Sequence, residues 1–452
     1  METPYEQIDP EPRLGLPFAR LTYTEEYLNW PLLSSFFEVN FAGIKTSRDQ
    51  LLIHVDRGEL ESRVTQYLDA SITDDEIGRR FPDLMKANSL YKASEIRRQL
   101  INKGFRPWQI RRIVYRPFDV RYIYWEPETE LLDRKREEYL GGFLNTQSIA
   151  LPKQSRVGYS GPFVARALVD LNSVDGGANV LTDTTLYWTN LHGSSVERNW
   201  SETVERWLER EGTSSGDLFA YILSIMHTPR YQSENIGALE RDWPRIPIPA
   251  TSQLLARSAR LGHRLAELLD PESDLHLDAD WSFLARLSVP AEFPEDTPDR
   301  DRRNAARCAV TAGWGGRGQG DTVMPRRGKA DERDWTPAEL GRLATLAAAQ
   351  NLALDDALTL LGSRCVDVYL NDAAFWSAVP TRVWEYTLGG YQVLKKWLSY
   401  REEPLLGRPL HEDEARYFSQ VVRRIAASLL LGPALDASYG AIIPTASGLP
   451  SQ

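Results

Sequence analysis

Between Gly104 and Trp125 the chain changes its repeat, and that change limits the folds open to it more than any other feature. Upstream, "SITDDEIGRRF" (71–81) and "EIRRQLINK" (95–103) space their apolar residues as helices do. Then "RRIVYRPFDVRYIYW" (111–125) crowds β-branched and aromatic residues together, broken at Arg116-Pro117. Such residues suit a pleated, half-buried surface. A proline cannot donate to a ladder, so the stretch reads as two strand pieces around a corner. One chain holding both periods predicts an α+β fold.

The rest of the chain extends that reading. Thr73 with Glu76 forms a capping box, so a helix begins near Asp74. Ser94 is a candidate cap for the next helix, which Gly104 would stop. "SIALPKQS" (148–155), "TTLYWTNL" (184–191) and "CVDVYL" (365–370) read as strands, and "DLFAYILSIMHTPRY" (217–231) as a helix. "DWPRIPIP" (242–249) is extended, because each proline biases its predecessor away from the helical region. "GWGGRGQGDTVMPRRGK" (313–329) is a basic hairpin or loop, followed by a helix start at Thr336-Pro337 with Glu339 closing the box. "RVWEYTLGGYQVLKKWL" (382–398) and "EDEARYFSQVVRRIAASLLL" (412–431) are expected to be helical, the latter with Ala415, Phe418, Val422, Ile425 and Leu429 in one stripe. The division expected is a helical segment over 1–110, a mixed-sheet domain over 111–300, and a hairpin with a helical unit over 301–452.

Composition narrows the function. The 452 residues are 42% hydrophobic and 26% charged, ordinary globular values that permit packed cores. No apolar run is read as a bilayer span, and "METPYEQIDPEP" lacks the basic end and apolar stretch of a signal peptide. Cys308 and Cys365 are far apart, which suits buried thiols in a reducing cytoplasm. The net charge of −10 is uneven, for Arg79–Arg166 holds eighteen Lys and Arg against nine Asp and Glu. A basic segment in an acidic protein is the pattern of an anion-binding face. From charge alone a solvated surface laced with salt bridges stays equally open.

Several chemistries are not encoded. Gly313, Gly315 and Gly318 fit G-x-G-x-x-G, but "QGDTVMPRRGK" follows where a helix should start. No phosphate-loop or G-x-S-x-G motif occurs, and the six histidines are scattered without metal-site spacing. Enzymes that methylate an exocyclic DNA amine use an Asn/Asp-Pro-Pro-aromatic loop, and the 27 prolines include no Pro-Pro pair. No cofactor and no independent catalysis are expected.

Four ordered blocks carry a resemblance: "FAGIKTSRD" (Phe41–Asp49), "YRPFDVRYIYW" (Tyr115–Trp125), Asp217–Pro249 and "DVYLNDAAFWSAVPTRVWEYTLGGYQVLKKWLSYRE" (Asp367–Glu402). Together they resemble the C-terminal specificity region of type ISP restriction–modification enzymes. The resemblance implies a coupling segment over 1–110, a target-recognition domain over 111–300, and a second recognition hairpin with helices over 301–452. It further implies sequence-specific reading of double-stranded DNA in a restriction–modification or phage-defence methyltransferase system. Its partners would be DNA and a separate methyltransferase or nuclease–helicase chain, with no membrane. The catalytic parts of the family are missing, as in a split or truncated gene. A stand-alone nuclease and a protein-interaction scaffold are the alternatives.

A DNA reader needs cations for phosphates and planar or amide groups for base edges. "YRPFDVRYIYW" reads mainly as framework, with Arg116 and Asp119 pairing to brace the corner at Pro117. Direct readers are expected in the loops that carry Lys153, Gln154 and Arg156, and Arg317, Arg326 and Arg327. The acidic remainder, including "EFPEDTPDRD" (292–301), is expected to face away.

Overall fold

The computed structural model describes residues 11–15, 20–82, 84–85, 91–136, 147–155, 158–189, 193–274, 277, 279–289, 307–318 and 322–448. Arg156 and the acidic run 292–301 lie outside the described residues. The two pieces of "RRIVYRPFDVRYIYW" are β3 (Ile110–Arg116) and β4 (Asp119–Tyr124), an antiparallel hairpin turning at Pro117-Phe118. Phe118 takes a left-handed φ of 59° there, held by burial of its ring and by Tyr417 Oη, which donates to its carbonyl at 2.8 Å. β2 (Ile53–His54) pairs with β4, and β7 (Leu168–Val169) runs parallel to β3, giving the order β2-β4-β3-β7. Ile113, Val114 and Ile123 are fully buried at its centre.

A second sheet, β1-β8-β5-β6, joins Phe41–Ala42, Ala178–Thr182, Ser148–Pro152 and Phe163–Ala165, all antiparallel. Every residue of Ser148–Pro152 is buried, so this strand shows no polar alternation. A third sheet, β11-β16-β15-β14, joins Arg286–Ser288, Phe375–Pro380, Arg364–Tyr369 and Ala330–Asp334. Three small hairpins complete the strands: β9–β10 (Thr184–Thr189, Gly193–Arg198), β12–β13 (Gly315–Arg317, Val323–Pro325) and β17–β18 (Thr387–Leu388, Tyr391–Gln392). The mixture of helices and small sheets makes the fold α+β, as the change of repeat implies.

Helices join the sheets. α1 (Arg57–Leu68), α2 (Asp74–Arg80) and α3 (Ala93–Lys103) precede the first hairpin. The Thr73–Glu76 box caps α2 reciprocally, as read from sequence. Ser94 is not a cap, because α3 already starts at Ala93 and the Ser94 hydroxyl instead holds Asp74. α4 (Ser215–Met226) packs on α5 (Ser252–Leu269), whose Gly262 sits so close that a Cβ would lie 1.8 Å from the Ala220 carbonyl oxygen. α6 (Glu412–Leu430) buries Ala415, Phe418, Val422 and Ile425 of the expected stripe. Its Arg424 donates to the carbonyls of Glu267 (2.7 Å) and Asp270 (2.9 Å), capping the C-terminal end of α5. The run Glu412–Thr445 is long and apolar enough by composition to cross a membrane, although half of its most apolar window is buried inside the protein.

One stretch departs from expectation. "RVWEYTLGGYQVLKKWL" is not one helix: a turn of helix at Thr381–Trp384 gives way to β17–β18 before α7 (Val393–Ser399). Gly389 and Gly390 adopt φ of 59° and 82°, which closes a tight hairpin and ends helical propagation.

Candidate nucleic-acid interface

The first sheet, the α1–α2 region and the β12–β13 hairpin enclose an open cleft of about 1190 Å³. Its lining includes Lys45, Arg63, Arg79, Arg80, Arg116, Arg121 and Arg317, with Asp49 and Asp170 as the carboxylates. Arg79 and Arg80 occupy the last turn of α2, where a cation is favoured by the helix dipole. Arg63, Arg79 and Arg80 donate to uncharged oxygens: the Gln50 carbonyl (2.9 Å), the Asp75 carbonyl (3.3 Å) and Gln66 Oε1 (2.8 Å). Hydrogen bonds of this kind orient a guanidinium without cancelling its charge.

The floor is built by the β3–β4 hairpin and by Tyr391 and Tyr400, on either side of α7. The Arg121 guanidinium lies between two rings, 3.9 Å from the centre of Tyr115 and 4.4 Å from that of Tyr400. Arg121 also holds Asp119 at 2.7 Å, and Arg401 holds the other oxygen of that carboxylate at 2.8 Å. Burial alone would raise the Asp119 carboxyl, but the two guanidiniums outweigh it and hold the group far below its ordinary range. Arg116 does not pair with Asp119, although the two are register partners; it reaches Asp170 at 3.2 Å instead. The kink at Pro117-Phe118 sends the side chains apart, so the brace expected from sequence is replaced by two separate pairs. The Asp170 carboxyl is pushed up to about 7, chiefly by burial and then by Asp49, against the pull of Arg116. Tyr115 Oη donates to Asp49 at 2.8 Å.

The β12–β13 hairpin is rooted beside this floor. Glu402, itself buried, accepts from the backbone N–H of Trp314, with Gly313 and Gly315 contributing theirs. The Trp314 ring is fully buried and its Nε1 donates to the Tyr369 carbonyl at 2.7 Å. A Cβ on Gly315 would stand 1.9 Å from the Ser399 carbonyl oxygen, so only glycine lets the strand lie against the end of α7.

The residues singled out in the sequence are dispersed over this frame. Arg317 lines the cleft from β12 and is exposed. Arg326 and Arg327 are exposed just beyond β13, and the Arg326 guanidinium covers Gly316 on the opposite face of the hairpin. Lys153 and Gln154 are exposed at the end of β5 and do not line the cleft; Lys153 stands 3.9 Å from Asp242. Sequence reading missed Lys45, Arg63, Tyr391 and Tyr400, and assigned Arg116 and Arg121 mainly to framework. The density of Arg and Tyr in "YRPFDVRYIYW" was the available signal.

The acidic stretch does not turn away as a whole. Glu272 pairs with Arg112 at 3.1 Å, and the buried Asp270 with Arg166 at 2.6 Å. Within the basic segment, Glu128 takes both Lys103 and Arg106, and Lys135 pairs with Glu130 at 3.2 Å. Much of the local positive charge is therefore spent inside the protein, whereas Arg79 and Arg80 at the cleft donate only to uncharged oxygens. Among the described residues no three His, Cys, Asp or Glu side chains gather as a metal site. Both cysteines are buried, and burial raises the thiols, Cys365 to about 12.

No curated protein matches the chain. Among solved structures it is similar to the ATP-dependent type ISP restriction–modification enzyme LlaBIII bound to DNA (TM-score 0.55, 13% identity, covering 95% of this chain and 25% of that one). It is also similar to DrdV in a DNA complex (TM-score 0.57, 15% identity, covering 92% and 38%). A nuclease-deletion mutant of the type ISP enzyme LlaGI, in complex with a DNA substrate mimic, matches with a TM-score of 0.51 and 15% identity, covering 92% and 34%. The chain thus spans a quarter to two-fifths of the length of these proteins. The family described as the type ISP C-terminal specificity domain matches residues 35–282 and 362–422, leaving β12–β13 between its two blocks. That match takes in well over half of the chain, which therefore belongs to the type ISP C-terminal specificity domain family.

Proposed function

We propose that this chain reads a target in double-stranded DNA, as the specificity part of a restriction–modification system whose catalysis lies elsewhere. The observation that carries the reading is the cleft, where Arg63, Arg79 and Arg80 keep their charge beside Arg116, Arg121 and Arg317. Family membership and the DNA bound in the similar structures support it. Phosphate contacts set register and orientation, and an exposed arginine on a rooted hairpin has the fork geometry that reads guanine in the major groove. Arg317 is the proposed reader in the cleft, with Arg326 and Arg327 beyond it. Lys153, Gln154 and Arg156 form a second proposed contact on the β5 loop. A methyltransferase or nuclease–helicase chain is the proposed partner, and defence against phage in the cytoplasm the proposed setting.

Fluorescence anisotropy on a duplex pool tests the reading. Arg79→Glu with Arg80→Glu should weaken binding at least tenfold at low salt, and Arg317→Ala should relax sequence preference. Salt-insensitive binding, or binding untouched by both changes, would overturn it. Magnesium-dependent cleavage of plasmid DNA by the purified chain would favour a nuclease instead.

A further inference from the structure

The cleft lining carries seven cations against two carboxylates, Asp49 and Asp170. Lys396, on α7, places its ammonium 5.3 Å from the ring centre of Tyr391 and 4.9 Å from that of Tyr400. Arg116 lies 5.4 Å and 6.0 Å from the same two rings, and Arg121 4.4 Å from Tyr400, so three cations converge on one aromatic cluster. Arg401 adds a fourth behind them, and the facing carboxylates are Asp119, Asp170, Asp49 and Asp175. Four cations against four carboxylates balance, and one positive charge is left over once Asp170 is protonated.

Two donors there lack a mate. Among the described residues Lys396 has no carboxylate within ion-pair distance, only the rings, and the buried Arg116 Nε has no hydrogen-bond partner. An unmet buried donor beside uncompensated charge calls for an anion with several acceptor oxygens. A protein carboxylate would supply one charge on a fixed stem, whereas a phosphodiester enters from solvent along the cleft. We infer that Arg116, Lys396 and the Tyr391 and Tyr400 rings form a subsite for one backbone phosphate of the bound DNA. This rests on the proposal that the cleft binds DNA, and adds that Lys396, held against the Tyr391 and Tyr400 rings that line the cleft, helps to hold one of its phosphates.

The ammonium is held in reserve. Burial first, then Arg116 and Arg121, lower its pKa to about 8, with Asp119 opposing. A phosphate arriving beside it stabilises the charged form, so binding takes up a proton at pH above about 8. Duplex affinity therefore falls between pH 7 and 9. Asp170, near 7, contributes in the same direction at the lower end of that window, since ionising it adds a competing anion.

The test is anisotropy on a fluorescent duplex with wild type, Lys396→Met and Lys396→Arg, with thermal unfolding to confirm that each variant folds. Met keeps the apolar stem, and Arg keeps a charge that does not titrate. Lys396→Met should weaken binding about tenfold and make the log–log salt slope shallower by about 0.9, the share of one phosphate. Lys396→Arg should hold affinity at pH 7 and remove most of the loss between pH 7 and 9. A methylphosphonate scan along the duplex then locates the contact: one position should weaken wild type yet cost Lys396→Met nothing further. An equal Lys396→Met effect at every methylphosphonate position means a diffuse field and no subsite. Unchanged affinity in Lys396→Met, while Arg79→Glu with Arg80→Glu weakens binding, removes the subsite and leaves the cleft reading. If neither moves binding, both fall.

Discussion

Asp119 shows how much one residue of the opening hairpin has to do. Its carboxylate is buried between Arg121 and Arg401, and it fixes the guanidinium that the rings of Tyr115 and Tyr400 sandwich. Removing one member of a buried network strands the others, typically at about 3–5 kcal/mol. Asp119→Asn should therefore lower the unfolding free energy measured in urea by an amount in that range and loosen Arg121 in the cleft. The pH sign follows from its depressed pKa: the stabilisation is full above the unfolded value near about 3.9 and is lost as pH falls through the lower folded value. Acid unfolding of the wild type should be steeper below about pH 4 than that of Asp119→Asn. An Asn variant as stable as wild type, with the same acid limb, would show the pair to be ornamental. In sequence Asp119 looks like any strand aspartate; its partner Arg401 is 282 residues away, and only folding brings them together.

At the scale of elements, the β12–β13 hairpin is held by what lies outside it. Glu402 gathers the N–H groups of Gly313, Trp314 and Gly315, and burial raises its carboxyl while those donors pull it back. Glu402→Gln keeps the shape but halves the acceptor capacity, so it should free the hairpin at a cost of about 1–3 kcal/mol. Faster amide exchange at Gly315–Arg317, with the third sheet unaffected, is the expected readout; unchanged exchange would mean that Trp314 alone roots the arm. The second hairpin depends on Gly389, whose left-handed φ and contact with Val174, 2.6 Å from a would-be Cβ, exclude larger residues. Gly389→Ala should cost about 1–3 kcal/mol through backbone strain and displace Tyr391. Reduced thermal stability together with weaker DNA binding is the expected result. These hairpins were legible unequally. "GWGGRGQGDTVMPRRGK" announced a turn through its glycines, but the helical spacing around "LGG" concealed β17–β18, because apolar periodicity outweighs a two-residue break in a short window.

For the whole molecule, charge is the quantity that folding redistributes. The segment Arg79–Arg166 has a surplus of nine positive charges on paper, yet Asp74, Asp170, Asp270 and Glu272, all from outside it, pair with Arg97, Arg116, Arg166 and Arg112. On the proposed reading the cleft is the face that meets DNA: with three to five phosphates held there, the log–log salt slope should be about −3 to −5. A slope near −9 would mean that the paired arginines open to meet DNA, and a slope near zero that the cleft is not the binding surface. Arg112→Gln should leave the slope unchanged, because that arginine already belongs to Glu272.

Local chemistry determined the elements that could be read directly: the reciprocal caps at Thr73 and Thr336, the β3–β4 corner, the buried stripe of α6 and the α+β class. Each depends on residues within a few positions of one another, where propensity and periodicity act. The candidate site does not. The cleft joins Lys45, Arg79, Arg121, Arg317 and Tyr400, and its electrostatics turn on which carboxylate each arginine meets. Coulombic pairing depends on distance in space, so a count along the chain returned the right sign of charge but the wrong partners. Arg116 and Asp119 sit three residues apart and do not pair, whereas Arg401 crosses the molecule to do so.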